Sequence, residues 1–141
     1  MEQSHSAFVP PDHGKAIPFI GTVKVSGAQS GDSFELIEYA GPATPPPHIH
    51  RNRDEAFYIL EGTFRFVLGD EDVEAAAGSV VHVRRGTRHG FSAGPGARAL
   101  LVVVPAGLEG FFQELGDGLA AGRSGRDLRE GLAAKYDSEP G

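Results

Sequence analysis

The 141-residue sequence contains no cysteine and no tryptophan. Without cysteine the chain can form no disulfide, and it can supply neither a thiolate metal ligand nor a cysteine nucleophile. The sequence also lacks an apolar run of membrane-spanning length and an apolar core behind a basic N-terminus, so we expect neither a membrane span nor a secretory signal. These absences favour a cytoplasmic protein.

The sequence also contains fewer basic than acidic residues. The chain has 13 lysines and arginines against 19 aspartates and glutamates, a formal net charge of −6. Because nucleic-acid-binding domains usually carry a basic face, we expect no nucleic-acid partner. The length fits one domain with a single core, and 20 glycines with 10 prolines are typical of short strands joined by turns.

The hydrophobic pattern divides the chain into three parts. Residues 1–16 are polar and contain prolines, which predicts a loose N-terminal arm with solvated His5 and His13. Residues 17–104 carry about eight short runs of strand-like alternation, which predict an all-β sandwich or closed barrel. Residues 105–141 form a helical extension.

Two of the early runs are irregular. The stretch from Ile17 to Val25 reads as one strand, and the next run places Phe34 and Leu36 opposite Glu35 only imperfectly. In a half-buried strand, alternate residues share one face.

The C-terminal extension shows helical spacing in two places. One apolar stripe comprises Phe111, Phe112, Leu115 and Leu119. Asp127 followed by Glu130 is the capping pattern that opens a second helix. We expect both helices to pack on the outside of the barrel or on a partner subunit; the alternative is a lid over the barrel mouth.

Residue types that bind metal ions concentrate between Gly41 and Gly62. His48 and His50 alternate in an extended stretch, so their rings project from the same face. Glu55 follows a polar turn that can bring its carboxylate back beside them. Because imidazole nitrogen and carboxylate oxygen suit first-row divalent ions, the three groups describe a partial metal site. An isolated HxH pair, in contrast, is more often two surface histidines.

A second stretch runs from Gly78 to His89. Residues 79–83 predict a strand, a tight turn follows at Arg85 and Gly86, and His89 opens the next strand. This arrangement offers a third imidazole at a strand end. His82 lies on the outward face of its strand and is not a candidate ligand.

Together the two stretches resemble the paired motifs of the cupin superfamily, over roughly residues 17 to 104. The matching positions are Gly41, His48, His50, Glu55 and Gly62 in the first motif and Gly78, Gly86 and His89 in the second. Arg84 replaces a family proline and Ala93 a family asparagine, and neither change removes a ligand.

This resemblance implies a cupin double-stranded β-helix, the jelly-roll barrel. It implies four metal ligands, His48, His50, Glu55 and His89. They would hold one divalent transition metal ion per chain, which could be iron, manganese, nickel, cobalt, copper or zinc. A homodimer is also implied, and pairing would protect exposed sheet edges.

Three groups of residues surround these ligands. The inward-facing candidates for substrate contact are Phe57, Ile59, Phe64, Phe66 and Phe91, with barrel core as the alternative interpretation. Pro45, Pro46 and Pro47 predict a rigid extended approach to the site rather than a ligand for a partner domain. The turn residues Arg84, Arg85 and Arg88 are interpreted as a solvated rim, with recognition of an anionic substrate as the alternative.

The stretch around the first motif is similar to that of quercetin 2,3-dioxygenases. The similarity implies a metal-dependent dioxygenase that acts on an aromatic or enol-type small molecule, with Glu55 as both ligand and catalytic base. Four protein ligands leave coordination positions open, as catalytic sites require. The alternatives are a non-catalytic small-molecule binding cupin and a metal-dependent isomerase or lyase that does not use O₂.

Overall fold

The computed structural model describes residues 6–141, which form eleven strands and three helices. The strands are β1 (Lys15–Ile17), β2 (Gly21–Val25), β3 (Glu35–Tyr39), β4 (His48–Ile49), β5 (Asp54–Glu61), β6 (Thr63–Leu68), β7 (Glu71–Ala76), β8 (Val80–Val83), β9 (His89–Ala93), β10 (Arg98–Val104) and β11 (Glu139–Pro140). The helices are α1 (Gly27–Ser30), α2 (Glu109–Ala120) and α3 (Gly125–Leu132). None of the helices in this range is long and apolar enough to cross a membrane.

The strands form two antiparallel sheets. One has the order β1-β2-β3-β10-β5-β8, and the other has the order β11-β4-β9-β6-β7. Strands that are distant in sequence lie side by side, as with β3 and β10 or β4 and β9, which is the pattern of a jelly roll. The predicted jelly-roll barrel with two short C-terminal helices is confirmed.

Aromatic rings fill the space between the two sheets. Phe57 of β5 packs against Phe66 of β6 with ring centroids 5.0 Å apart. Phe91 of β9 lies 5.7 Å from Phe64. The predicted facing of the strands is confirmed, since His82 is exposed and the buried positions include Phe57, Ile59, Phe64, Phe66, Val81 and Val83.

Strand β3 buries an acidic residue. Its buried residues are Glu35, Ile37 and Tyr39, whereas Phe34 and Leu36 are only partly buried. Glu35 can lie inside because its carboxylate accepts hydrogen bonds from three backbone N–H groups, those of Gly107, Leu108 and Glu109. A buried charge with enough donors does not need solvent.

The stretch expected to form one strand from Ile17 to Val25 is interrupted. β1 ends at Ile17 and β2 begins at Gly21, with Phe19 in the intervening turn at φ +67° and 43% exposed. The two short strands pair with each other as a hairpin. The stretch expected to form one strand therefore contributes to two paired strands.

Helices α2 and α3 lie where the sequence predicts them, but α3 begins earlier than the predicted cap at Asp127. The N-cap is Ser124, whose Oγ accepts a hydrogen bond of 3.3 Å from the N–H of Asp127. Asp127 itself lies in the first turn. The two helices approach closely at Gly118, where a Cβ would come 2.5 Å from the Leu128 side chain.

Short strands near both ends of the described range join the two sheets. β1 begins at Lys15, inside the predicted N-terminal arm, and residues 1–5 with His5 lie outside the described residues. At the other end, β11 follows the two helices and pairs with β4, with Glu139 opposite Ile49 and Pro140 opposite His48. The helical extension therefore ends beside the first histidine motif.

Candidate metal centre

The four predicted ligands meet at one end of the barrel, between the two sheets. His48 of β4 lies opposite His89 of β9 in the register of one sheet. His50 follows β4 directly, and Glu55 extends from β5 in the other sheet. One ligand atom from each residue lies within 4.8 Å of all the others. The convergence expected from the HxH spacing is present.

The turn between β8 and β9 is tied to the first motif. The N–H of Gly86, at φ +86°, donates a 2.7 Å hydrogen bond to the carbonyl of His50. The Asp54 carboxylate accepts from the backbone and the guanidinium of Arg85, and this contact lowers the Asp54 pKa to about 2. Because these bonds join the two motifs, His50 and His89 are positioned together.

Hydrogen bonds to backbone carbonyls define the tautomer of each imidazole. The Nδ1 atoms of His48, His50 and His89 lie 2.8, 2.5 and 2.8 Å from the carbonyl oxygens of residues 46, 137 and 87. A carbonyl only accepts, so each Nδ1 carries a proton and donates it. The remaining nitrogen of each neutral ring, Nε2, then presents a lone pair to the cluster, which is the arrangement of metal-binding histidines.

The inner faces of these groups fit a cation. Oε1 of Glu55 lies 2.9 Å from Nε2 of His89 and 3.5 Å from Nε2 of His50. Lone pairs directed at a carboxylate oxygen repel it unless a proton or a metal ion lies between them. Three imidazole nitrogens and one carboxylate oxygen are a donor set for first-row divalent ions.

The pKa values of Glu55 and His48 favour their ligand forms, whereas the pKa of His89 is raised: burial acts to lower it, but the close contact with Glu55 outweighs burial. Burial acts to raise the pKa of Glu55, but the close contact with His89 and the nearby imidazoles outweigh it and hold that pKa below its usual value. Burial and the neighbouring rings lower the pKa of His48 to about 3. At neutral pH the cluster therefore contains a carboxylate and an uncharged His48.

A cavity of about 180 Å³ opens onto the cluster. Its wall comprises Tyr39, Pro45, Pro46, Pro47, His48, His50, Glu55, Phe111, Phe112, Leu115, Arg126, Arg129, Glu130, Ser138 and Pro140. Residues of α2 and α3 thus face the ligands across the cavity. The structure supports the lid alternative for these helices over packing on the outside of the barrel.

The five predicted substrate contacts have a different position. Phe57, Ile59, Phe64, Phe66 and Phe91 are all buried in the core. Of the described residues that form the cavity wall, none belongs to this set. Their burial fits the barrel-core interpretation that the sequence analysis kept as an alternative.

The wall residues that the sequence analysis missed come largely from the C-terminal segment. Phe111 and Phe112 were recognised only as an apolar helix stripe, and Arg129 and Ser138 were not singled out. The sequence did contain one indication of this position. Two adjacent phenylalanines on a short helix lie on different parts of its surface, so one of them can face a cavity while the other packs on the barrel.

The three prolines act as part of the site's framework. Pro45 accepts a 3.3 Å hydrogen bond from the N–H of Phe91. Gly90 permits this approach, because a Cβ there would lie 2.9 Å from the carbonyl oxygen of Pro45. The scaffold interpretation fits this packing. Arg84, Arg85 and Arg88 are exposed on the rim.

Comparison with known proteins identifies the same family as the two sequence motifs. A family profile described as a cupin domain matches residues 35–105, half of the chain. Quercetin 2,3-dioxygenase of Bacillus subtilis (strain 168) is 27% identical over 74 residues, which are 51% of this chain and 22% of that relative. The chain therefore matches only about a fifth of the length of this curated relative.

Solved structures show the same fold. Pac13, a nucleoside dehydratase from Streptomyces, aligns with a TM-score of 0.59 at 19% identity, covering 72% of this chain and 84% of that one. KdgF from Halomonas sp. aligns with a TM-score of 0.52 at 20% identity, covering 60% and 76%. A predicted oxalate decarboxylase from Thermotoga maritima gives 0.51 at 22% identity, covering 60% and 77%. At these identities the likeness concerns the fold alone.

Proposed function

The chain belongs to the cupin domain family, and from this premise we propose that it is a metal-dependent dioxygenase acting on an aromatic or enol-type small molecule. The observation that carries the proposal is the cluster of His48, His50, Glu55 and His89, of which the first three form part of the wall of an apolar cavity. A structural metal site would have a closed ligand shell, whereas this cluster opens onto a cavity large enough for a ligand.

One divalent transition metal ion per chain is part of the proposal. When bound, such an ion supplies Lewis acidity and redox chemistry with O₂. The protein's own contribution is to hold the three imidazoles in the Nδ1–H tautomer, which leaves each Nε2 free to bind the ion. Backbone carbonyls alone provide this control, so it does not depend on the protonation of another side chain.

Glu55 is the proposed catalytic base. Its carboxylate forms part of the cavity wall and is ionised at neutral pH, because its pKa lies below the usual value. It can therefore accept the proton of a substrate hydroxyl at a carboxylate oxygen. The loss of that proton converts an enol or phenol into an electron-rich anion.

The rest of the cavity suits a flat apolar substrate. Tyr39, Phe111 and Phe112 contribute aromatic surface, and the helices α2 and α3 cover the side opposite the ligands. Such a wall orients a planar ring and excludes water from the reacting atoms. The similarity to a quercetin 2,3-dioxygenase supports O₂ as the co-substrate.

A second candidate is a metal-dependent lyase or isomerase that uses the same cluster without O₂. The fold likeness to the nucleoside dehydratase Pac13 favours keeping this candidate. The same proton acceptor, Glu55, would serve either reaction. A cupin that binds a small molecule without turnover is the third possibility, since a metal ion can simply anchor a ligand.

The test compares wild type with Glu55→Gln, each loaded with iron, manganese, nickel, cobalt, copper or zinc. We expect about one ion per chain, and O₂ uptake with an enol or phenol substrate that falls at least about 100-fold in Glu55→Gln. Glu74→Gln, on the exposed outer face of β7, is the matched control and should retain full activity.

Three outcomes would contradict the dioxygenase. Turnover of the same substrate under nitrogen would show the lyase or isomerase. Substrate binding without turnover in every metal-loaded form would show a binding module. Failure of every metal to bind, together with unchanged behaviour of a His48→Ala/His50→Ala variant, would exclude metal-dependent chemistry.

A further inference from the structure

Arg129 is a cation in the cavity wall and has no partner among the residues that the structure describes. It belongs to α3, is half-buried and faces the same cavity as His48, His50 and Glu55. Within residues 6–141 its guanidinium has neither a hydrogen bond nor an ion pair, and its pKa is lowered, mainly by burial. A guanidinium that gives up solvent without gaining an acceptor is costly unless a ligand supplies one.

The net charge of the cavity wall with a bound divalent ion would favour an anionic ligand. Arg126 forms a 3.5 Å ion pair with Glu130 at the exposed edge of the cavity, so these two charges offset each other. The charges of Arg129 and Glu55 then cancel across the cavity. A divalent ion at the histidine cluster would leave an excess of about two positive charges, which an anionic occupant would neutralise.

Tyr39 does not neutralise Arg129. Its hydroxyl donates a 2.5 Å hydrogen bond to the carbonyl of Ala43, and burial first of all raises its pKa well above the usual value. The phenol is therefore uncharged at neutral pH. It contributes aromatic surface to the same cavity wall as Glu55 and Arg129.

The size of the cavity limits the occupant. A volume of about 180 Å³ lies below the roughly 300–1,000 Å³ that is usual for pockets holding drug-sized ligands. A molecule with one ring fits this space better than a three-ring flavonol. The apolar wall from Phe111, Phe112 and Leu115 matches the ring of such a molecule.

We propose that the cavity takes a small aromatic or enolic carboxylic acid, and that Arg129 determines this specificity by binding the carboxylate. The acid's hydroxyl would then face Glu55 and the histidine cluster. A guanidinium suits this role because it can donate two parallel hydrogen bonds to one carboxylate. The inference rests on the proposed function in taking this cavity as the substrate site, but it requires no reaction with O₂.

The experiment measures equilibrium binding by titration calorimetry on zinc-loaded protein, in which no oxidation takes place. The probes are 2-hydroxybenzoate and its uncharged analogue 2-hydroxybenzamide. Wild type should bind the carboxylate at least about 10-fold more tightly than the amide. Arg129→Met should weaken binding of the carboxylate by about 10- to 100-fold and leave the amide nearly unchanged. Arg129→Lys should recover part of the difference.

The matched control is Arg123→Met, which removes an exposed arginine from the segment between α2 and α3. It should behave as wild type with both probes. Thermal unfolding of each variant shows whether α3 remains folded. The proposal is overturned if wild type binds the acid no more tightly than the amide, or if Arg129→Met and Arg123→Met give the same ratio of affinities.

Binding and turnover separate the two proposals. Loss of the carboxylate preference in Arg129→Met, without O₂ uptake by any metal form, would support the substrate class and reject the dioxygenase. O₂ uptake with an uncharged enol, unaffected by Arg129→Met, would support the dioxygenase and reject the substrate class.

Discussion

One hydrogen bond to a backbone carbonyl orients each of the three imidazole rings toward the candidate metal site. His48 and His89 are held by carbonyls two residues away in the chain, at residues 46 and 87. His50 is held instead by the carbonyl of Asp137, which is 87 residues distant. The orientation of one ligand therefore depends on the position of the C-terminal segment.

The Asp137 side chain fixes that position. Its carboxylate accepts hydrogen bonds of 2.7 and 2.8 Å from the N–H groups of Arg51 and Asn52, and one of 3.1 Å from the guanidinium of Arg53. Three donors converge on a side chain that is only 10% exposed. The segment that follows α3 is thereby attached to the loop that follows His50.

We predict that Asp137→Ala weakens metal binding by about 10- to 100-fold, the usual effect of losing an outer contact of a metal-bound histidine. The cause is that the Asp137 carbonyl would no longer be held against His50. The free energy of unfolding should also fall by about 1–3 kcal/mol, because two backbone N–H groups lose their acceptor. Zinc affinity is measured by competition with a chelator, and stability by urea unfolding of the metal-free protein.

Glu139→Gln provides the control for Asp137→Ala. Glu139 pairs with Arg51 on the surface, where the two side chains are 46% and 55% exposed, so its loss should change stability by no more than about 1 kcal/mol. Unchanged zinc affinity in Asp137→Ala, with reduced stability, would show that His50 keeps its orientation without this contact.

The difference between His48 and His50 explains how much of the site the sequence could predict. Spacing and family resemblance identified all four residues of the cluster, because two motifs of fixed local geometry carry them. The contact between His50 and Asp137 was invisible, since no local pattern specifies which distant segment lies against a strand end. The position of Arg129 was unpredictable for the same reason.

At the level of elements, helix α2 begins without a capping side chain of its own. Its N-cap residue, Leu108, makes no side-chain capping bond. Glu35 of β3 supplies the acceptors instead, through hydrogen bonds of 3.0–3.1 Å to three successive N–H groups. A negative charge at the N-terminus of a helix also interacts favourably with the helix dipole.

We predict that Glu35→Ala lowers the free energy of unfolding by roughly 2–4 kcal/mol, because it leaves buried N–H groups without acceptors. Urea unfolding of the metal-free protein measures this. The exposed Glu74→Gln control, whose partner Arg65 is 68% exposed, should shift stability by about 0.5 kcal/mol or less. A Glu35→Ala loss as small as that of the control would show that water replaces the carboxylate at the start of α2.

Strand faces and helix starts were predictable only where the local sequence pattern and the tertiary contacts favour the same structure. The strands carrying Phe57 and Phe64 alternate cleanly, and their inward faces were assigned correctly. The facing of β3 was not predictable, because Glu35 is inward only where the distant N–H groups of Gly107, Leu108 and Glu109 meet it. Ser124 rather than Asp127 caps α3, since both are good capping residues and the chain path selects between them.

At the level of the whole molecule, one sheet ends in a strand with apolar exposure. β8 is the last strand of its sheet and, among the described residues, pairs only with β5. Val80 is 63% exposed and lies opposite Tyr58, which is 46% exposed. A free edge flanked by exposed apolar side chains promotes pairing with another chain unless it is covered.

We predict a homodimer that buries this edge, and we expect Val80→Lys to convert it to a monomer. A lysine would place a charge in an interface that, in a stable dimer, buries on the order of 800 Å² per partner and is depleted of charge at its centre. Light scattering after size-exclusion chromatography gives the mass at several micromolar concentrations.

Asp72→Lys, on the exposed edge strand β7 of the other sheet, introduces the same charged group without removing an apolar one. The control should remain dimeric if β8 is the contact. Because the ligands and the cavity wall all lie within one chain, monomeric Val80→Lys should still bind one metal ion. A monomeric wild type, or a dimer that survives Val80→Lys but not Asp72→Lys, would place the free edge of β8 outside any interface. The exposed pair Tyr58 and Val80 would then be ordinary surface.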